Sequence, residues 1–574
     1  MKILNSIKEL KLNQFILRLL TGFSVSVIFC LIVSGVPFYE SKFFDSLSFP
    51  VFLICITALF VFFCFIKNDK TVFTVFFICV LFFCVLTSIQ ANDFMFSFGM
   101  CLIMFISIHY FNISVKIPEI NKNQKWLIIS LLILFYTLFV GGICCIYYKT
   151  YRTPCYDFGL FSQMFYYMKE TGKCLITCER DSLLSHFAVH FSPVYYLLLP
   201  IYLLFPSPCT LLILQAIIVS SAVIPLALLC EHFGLSNRSS VAFSLCLVLY
   251  PAFMGGCFWY LHENCFLTPF ILWLMYFFEK GKAFPIFLFS LLTLCVKEDA
   301  AIYVAVISLY YIFAKKNYKC SLTIFVFSIV YFVIVTKCMS IYGEGIMSSD
   351  RYGNYIYDDG GIFTVVKSIM QNPAYAISQV FTSEKLVFLL HLTVGLSFLP
   401  FAIKKPENLI LLIPLLVVNL MTDYKYQFNI GFQYVFGSGG LLFYLAISNY
   451  SSLKRNKGRC LIIAILCSVI IFSGGYLTKA KELFPTESRI KEVKAIEQAI
   501  SLIPDNAPLC ASTFLLANVS ERFELYELES TSQPTEYILA DLRYDNKISV
   551  SDYLKEGYVL LFYEENIVAV LYSN

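Results

Sequence analysis

Charge is what this chain has least of. Of its 574 residues only 14% are Asp, Glu, Lys or Arg, while 59% are hydrophobic. A soluble protein of this size cannot cover its surface with so few charges. The net charge of +4 is spread over short loops, which leaves no basic patch for nucleic acid. Histidine is scarcer still, with six in the whole chain. No CxxC pair occurs among the 22 cysteines, which speaks against a structural zinc site. Most cysteines, such as Cys144 and Cys145, lie in apolar runs as small core hydrophobes. Internal repeats and low-complexity segments are also absent.

Long apolar runs are abundant. "WLIISLLILFYTLFVGGICCIYY", from Trp126, is long enough to cross roughly 30 Å of hydrocarbon as a helix. Similar runs occur near 14–35, 49–66, 71–89, 94–114, 209–231, 239–258, 266–279, 284–296, 300–314, 320–340, 385–403, 407–422, 430–449 and 459–477. The reading is an all-α polytopic membrane protein of about 13 to 15 crossings. "FSPVYYLLLPIYLLF", from Phe191, holds two prolines and reads as a re-entrant or interfacial helix. The start, "MKILNSIKELKLNQ", has no A-x-A site and reads as an uncleaved first helix.

Three parts are expected: N-terminal helices over 1–125, a membrane core over 126–477, and a small α/β domain over 478–574. In the last part charges return. Ile490, Val493, Ile496 and Ile500 form a helical stripe ended by Pro504. Short β-like runs follow: "LCASTFLL", "EYILADLR", "YVLLFYEE" and "NIVAVLY". This tail carries no Gly-rich phosphate loop and no nucleophile motif.

Lysine and arginine in short loops set the orientation. With the N-terminus cytoplasmic, "KNDK", Lys116 with Lys122 and Lys125, Arg238, Lys280 with Lys282, "KKNYK", "KK" at Lys404 and "KRNKGR" all fall inside. The polar segments then all fall outside, at a multi-pass cell membrane. They are the loop 148–208, "WYLHEN", "KEDA", the loop 341–384, "TDYKYQFNIGFQY" and the tail. Polar groups at a membrane edge are expensive unless solvated or functional, so one outward cavity is expected.

Asp157, in "YDFGLFSQ", suits two roles: a cap for the amphipathic run that follows it, or a general base near an acceptor hydroxyl. One carboxylate can do both. His186 and His190, spaced by four, would share a helical face. They would bind phosphate, cap the re-entrant helix, or hold a divalent cation with Asp157 or Glu263 as third ligand. His262 stands beside Glu263. Lys297, Glu298 and Asp299 stand between two short apolar helices and so below the membrane surface, where charges need partners or a ligand. Lys425 and Gln427 belong to an aromatic and amide mixture that suits either sugar binding or a membrane-interface belt. "YGEGIMSSDRYGNYIYDDGG" reads as a mobile lid. Cys155, Cys174 and Cys178 share one loop and could pair in an oxidising compartment.

The pieces "YDFGLFSQ", "HFAVHFSPVYYLLLPIYLLFPSP", "LQAIIVSSAVIPLALL", "LYPAF", "HEN", "KEDA" and "AIEQAISLIPDNAPLCASTFLLANVSER", in this order over roughly 150–545, resemble bacterial membrane proteins grouped as domain of unknown function 2079. That family in turn resembles the type-C (GT-C) glycosyltransferases, which include protein mannosyltransferases and lipid A aminoarabinose transferases. The resemblance implies a GT-C-like core and an extracytoplasmic tail domain. It also implies transfer of a sugar from a polyprenyl-phosphate donor, at the outer face, to a cell-envelope glycan, lipid or protein. Asp157 matches the first-loop acid that acts at the acceptor. His186 and His190 match a segment near the donor phosphate, and Glu263 with Lys297–Asp299 match later outer-face acids. Two departures stand out: type-C enzymes often carry a second acid beside the first, where this chain has Gly159, and four extra spans precede the core. The alternatives are a transporter or flippase of lipid-linked sugars, which should show midplane polarity and internal symmetry, and a non-catalytic envelope-assembly protein.

Overall fold

The computed structural model describes residues 10–40, 49–110, 118–153, 156–343, 349–357, 362–531, 533–544 and 548–573. Among them, seven helices are long and apolar enough to cross a membrane: Leu12–Val33, Asp69–Ala91, Lys122–Lys149, Pro208–His232, Asn237–Phe258, Tyr318–Tyr342 and Lys457–Gly475. Phe49–Cys64, Phe94–Tyr110 and Ala283–Leu294 are shorter apolar helices. The helices begin within a few residues of the expected runs, and among the described residues length and composition single out these seven, while other expected crossings are shorter or irregular. Hydropathy marks an apolar stretch without measuring its helix. Leu267–Lys280 has 14 residues and Ala301–Lys315 has 15, or only about 21–23 Å at the α-helical rise. The expected span at 407–422 is a 3-10 segment, Pro406–Leu412, followed by a π-helical one, Leu415–Leu420. The proline-bearing segment after Phe191 is likewise a 3-10 turn, Pro193–Leu197, and a six-residue helix, Leu199–Leu204.

The chain divides by packing into two compact units. One comprises Met1–Ile117, Val394–Ser397 and Lys454–Lys479. Here buried Arg18 donates to Asp69 Oδ1 at 2.7 Å and to the Ile66 carbonyl at 2.8 Å, tying the first helix to the turn before the third. Gly22 lets the first two helices touch: a Cβ there would lie 2.9 Å from the Phe60 amide nitrogen.

The second unit comprises Pro118–Thr393, Phe398–Leu453 and Ala480–Asn574. Buried polar groups pin its helices to one another. Tyr136 Oη donates to the Phe253 carbonyl at 3.0 Å. The Glu279 carboxylate accepts from Tyr444 at 2.7 Å and Tyr311 at 3.0 Å, and Lys315 lies 3.0 Å away.

A two-stranded hairpin pairs β1 (Leu175–Ile176) with β2 (Leu184–Ser185). The tail forms a five-stranded mixed sheet from β3 (Leu509–Ala511), β4 (Leu525–Glu527), β5 (Tyr537–Asp541), β6 (Val559–Glu564) and β7 (Val568–Tyr572), in the order β4-β3-β5-β7-β6. Strand β3 runs parallel to β4 and β5, and the last three strands are antiparallel. The helix Glu487–Ile500 is capped by Thr486, whose side chain accepts from the Arg489 amide, and it lays Ile496 and Ala499 on this sheet. Of the expected stripe, Val493 and Ile500 pack at the cluster's edge and Ile490 is exposed. Strand β4 has three residues and no alternation to announce it.

Candidate functional site

The helix Tyr156–Thr171 contains the acid, the glycine and the glutamine of "YDFGLFSQ", and each has a separate job. Asp157 lies in the first helical turn, where the free backbone N–H groups favour a negative charge. Its carboxylate accepts from His262 Nε2 at 3.1 Å. About 40% of the Asp157 side chain remains open, so it can meet a ligand. Gly159 permits contact with the tail: a Cβ there would lie 2.7 Å from Leu516 Cβ. Gln163, fully buried, donates to the carbonyls of Arg522 at 3.3 Å and Phe523 at 3.2 Å. Tyr167 Oη donates to the same Phe523 carbonyl at 2.7 Å.

His262 reaches Asp157 from a strained turn. Tyr260 has φ = 72°, a left-handed conformation costing a bulky residue on the order of 1–3 kcal/mol. Two contacts hold it there. Its carbonyl accepts from buried Gln215 at 2.7 Å, and its ring stacks on Phe158 at 5.3 Å. The next residues, Glu263 to Phe266, form a 3-10 turn.

Behind the acid lies a chain of paired charges. Lys297 Nζ is 2.9 Å from Glu263 Oε1, with both side chains at most 5% exposed. Glu263 Oε2 accepts from Tyr195 Oη at 2.7 Å, and that same hydroxyl accepts from the Glu263 amide at 3.1 Å. His190 Nδ1 lies 3.0 Å from Glu298 Oε1, while Glu298 Oε2 accepts from the Phe191 amide at 3.1 Å. These pairs satisfy charges that a short-helix setting would otherwise leave in an apolar medium.

The electrostatics follow. Burial pushes the Asp157 carboxyl up, but the hydrogen bond and charge of His262 outweigh it and hold the group below its usual value. Burial likewise works against ionised Glu263, and the charges of Lys297, His262 and His190 overcome it, so its pKa falls. Burial would neutralise Lys297, yet Glu263, Glu298 and Asp299 keep it charged with a raised pKa. Burial and the charge of Lys297 lower His190, against the opposing pull of Glu298. Asp299 is raised, chiefly by burial.

Two cavities meet at this network. A polar cleft of about 220 Å³ is lined by Asp157, His186, His190, His262, Glu263 and Lys297, together with Glu179, Arg180, Arg351, Tyr424, Gln433 and Tyr434. A neighbouring cavity of about 320 Å³ has apolar walls of Ile302, Phe332, Val365, Val366, Val417, Val418 and Met421, with Glu298, Asp299 and Gln427 at its polar margin. Arg351 lines both, and its guanidinium lies over the rings of Tyr424 and Tyr434 at 5.2 and 5.1 Å.

Nine of the ten residues singled out in the sequence therefore line one cavity or the other. Lys425 is the exception, an exposed residue that lines neither. Asp157, His186 and His190 do not form a metal-holding group. Each faces a different partner, and among the described residues no three His, Cys, Asp or Glu side chains are grouped to bind an ion. Cys174 and Cys178 are buried free thiols, and Cys155 lies outside the described residues. Of the segment expected to form a lid, 344–348 and 358–361 lie outside them too, and Ser349–Tyr355 is a 3-10 segment carrying Arg351. Tyr195, Glu179, Arg351, Gln433 and Tyr434 were not singled out individually in the sequence. Glu179, a second acid in the loop that bears Asp157, carried a usable signal, and so did the aromatic and amide stretch that holds Gln433 and Tyr434.

The tail also supports the hairpin beside the acid helix. Thr177 Oγ1 donates to the Leu525 carbonyl at 2.8 Å, and the Leu525 amide donates back at 3.1 Å. Gln163 joins both elements, with its Nε2 2.8 Å from Thr177 Oγ1 and its Oε1 accepting from the Thr177 amide at 3.0 Å.

A family model described as "Predicted membrane protein (DUF2079)" matches residues 147–554. Among solved structures the chain is similar to ArnT from Cupriavidus metallidurans bound to undecaprenyl phosphate. The TM-score is 0.44, with 12% identity over 76% of this chain and 97% of that one. For the apo state of the same protein the TM-score is 0.41, with 10% identity over 72% and 92%. No curated protein sequence matches.

Proposed function

We propose, for a chain that belongs to the DUF2079 family of predicted membrane proteins, that it is a membrane glycosyltransferase. It moves a sugar from a polyprenyl-phosphate carrier to a cell-envelope acceptor at the extracytoplasmic face. The observation that carries the proposal is the junction at Arg351, where a polar cleft holding an accessible acid adjoins an apolar cavity. A ligand with a sugar, a phosphate and an isoprenoid chain has the same sequence of properties. The sugar takes the cleft, the phosphate lies at the junction, and the first isoprenoid units take the apolar walls.

The chemistry follows from the charges. The acceptor oxygen forms a bond to the anomeric carbon as the bond from that carbon to the phosphate oxygen breaks. Both electrons of the broken bond leave with the polyprenyl phosphate. Negative charge grows on the phosphate, where the Arg351 guanidinium and the Lys297 ammonium stabilise it in a partly dry site. Asp157 accepts the hydrogen bond of the acceptor hydroxyl and takes its proton as the new bond forms. His262, hydrogen-bonded to Asp157, holds the carboxylate in position and ionised. With its pKa held below the usual carboxylate value, Asp157 is ionised at neutral pH and free to accept the acceptor's hydrogen bond. Asp157→Asn preserves size and should lower transfer from a polyprenyl-phosphate sugar by about 10²- to 10⁴-fold. Unchanged transfer would remove Asp157 from the mechanism.

A further inference from the structure

The mechanism leaves three groups that line the polar cleft unused. Glu179, His186 and Gln433 line that cleft. His186 and Gln433 are buried, at 3% and 5% exposed, and the Glu179 side chain is 10% exposed. Glu179 Oε2, His186 Nε2 and Gln433 Oε1 find no hydrogen-bond partner among the described residues. A buried polar atom left unpaired costs about 1–3 kcal/mol, and native proteins keep few of them unless a ligand uses them. Three around one cleft form a pattern.

The elements that carry these groups are also firmly built. Glu179 stands on the hairpin between β1 and β2, fastened to the tail through Thr177 and Leu525. Tyr156, beside the acid, donates its hydroxyl to the Cys178 carbonyl. His186 follows β2 directly and packs edge-on against Phe161 at 5.7 Å and Tyr195 at 5.7 Å. Gln433 opens the 3-10 turn Gln433–Val435 on another part of the chain.

The chemistry of the three atoms selects the ligand. Glu179 Oε2 and Gln433 Oε1 are acceptors, and His186 Nε2 gives or takes a hydrogen bond according to its tautomer. A phosphodiester has no proton to offer two acceptors and would meet the Glu179 carboxylate, whose Oε2 is 4.0 Å from His186 Nδ1. A sugar carboxylate set on these three atoms would likewise bring no proton to the two acceptors and would meet the Glu179 carboxylate, although Arg180, Lys297 and Arg351 also line the cleft. Neutral hydroxyl groups suit all three atoms.

We propose that Glu179, His186 and Gln433 form a hydroxyl-reading subsite that selects an uncharged polyhydroxylated sugar ring. It assigns His186 to sugar recognition and leaves phosphate to Arg351 and Lys297. It deepens the transferase reading and, as the site of the transferred sugar, rests on it. The measurement is saturation-transfer NMR on the full chain in nanodiscs, with methyl α-D-glucopyranoside, mannopyranoside and galactopyranoside, their monodeoxy analogues, and methyl glucuronide as probes.

At least one neutral glycoside should bind and the glucuronide should not. Glu179→Gln should weaken the bound glycoside by about tenfold, the scale of one hydrogen bond to a charged group. One monodeoxy analogue should bind about tenfold more weakly than its parent to the natural chain, yet equally to Glu179→Gln. This comparison uses ligands and so survives a variant that folds poorly. No binding by any neutral glycoside, preferred binding of the glucuronide, or the same deoxy penalty in both proteins would overturn the subsite. Glycoside binding with no transfer from any polyprenyl-phosphate sugar would keep the subsite and remove the transferase reading. Transfer that is indifferent to Glu179→Gln in both kcat and KM would do the reverse.

Discussion

Lys297→Met is the sharpest test of how the site is held together. Lys297 and Glu263 are 2.9 Å apart and both nearly closed to solvent. At that distance, with an effective dielectric constant of about 20, their attraction is roughly 6 kcal/mol. The cost of removing both ions from water offsets most of this, so the intact pair adds little net stability. The substitution acts on one side of that balance only. It removes the cation and leaves the Glu263 carboxylate buried, with Tyr195 Oη at 2.7 Å as its remaining side-chain hydrogen bond. Truncating one member of a buried pair costs about 3–5 kcal/mol. Lys297→Met should therefore melt several degrees below the natural chain, followed by tryptophan fluorescence in detergent. The double variant Lys297→Met with Glu263→Gln carries no stranded charge and should recover most of the loss. A single variant as stable as the natural chain would refute the reasoning. So would a double variant no better than the single one.

Four further outcomes follow from the same geometry. Gly159→Val places a side chain against Leu516 and should cost about 1–3 kcal/mol by overpacking; faster limited proteolysis of the tail checks it. Gln163→Leu leaves the Arg522 and Phe523 carbonyls short of a donor, at roughly 1–3 kcal/mol, and hydrogen exchange should rise over 516–525 but not in the Lys457–Gly475 helix. His190 has a folded pKa below its ordinary value. The stability tied to its neutral form is thus complete above the ordinary histidine value and is lost as pH falls from there through the lowered one. His190→Gln should flatten that acid-side slope in a melting series between about pH 7 and 5, whereas an unchanged slope would assign it elsewhere. Arg351→Ala should raise KM for a polyprenyl-phosphate sugar by tenfold or more, since a hydrogen bond to a charged group contributes about 1.5–3 kcal/mol; an effect confined to the acceptor's KM would move Arg351 out of the phosphate position.

Much of the site was legible because polar residues are conspicuous in an apolar chain. Asp157, His262, Glu263 and Lys297 stood out as rare charges beside membrane spans, and the structure brings them to one cleft. Their pairings were not legible. Asp157 and His262 are separated by 105 residues, and nothing local marks them as partners. Tyr195 lay within a segment read only as a re-entrant or interfacial helix, although its hydroxyl serves Glu263 in both directions. Gly159 looked like the place of a missing second acid. In the structure it is where the tail touches the acid's helix, and another carboxylate of the same loop, Glu179, lines the cleft. The stretch 407–422 looked like a span because its composition is apolar. Its 3-10 and π-helical turns reflect packing demands that composition does not carry.

By itself the sequence determined that this is a multi-pass membrane protein and which of its residues are costly in a membrane. That follows from transfer free energies, which each residue type carries wherever it stands. The tertiary structure decided which cation meets which acid, which acid stays open, and that the tail packs against the acid's own helix. Those outcomes depend on distances of a few ångströms between residues far apart in the chain, and electrostatic and packing energies change steeply over that range.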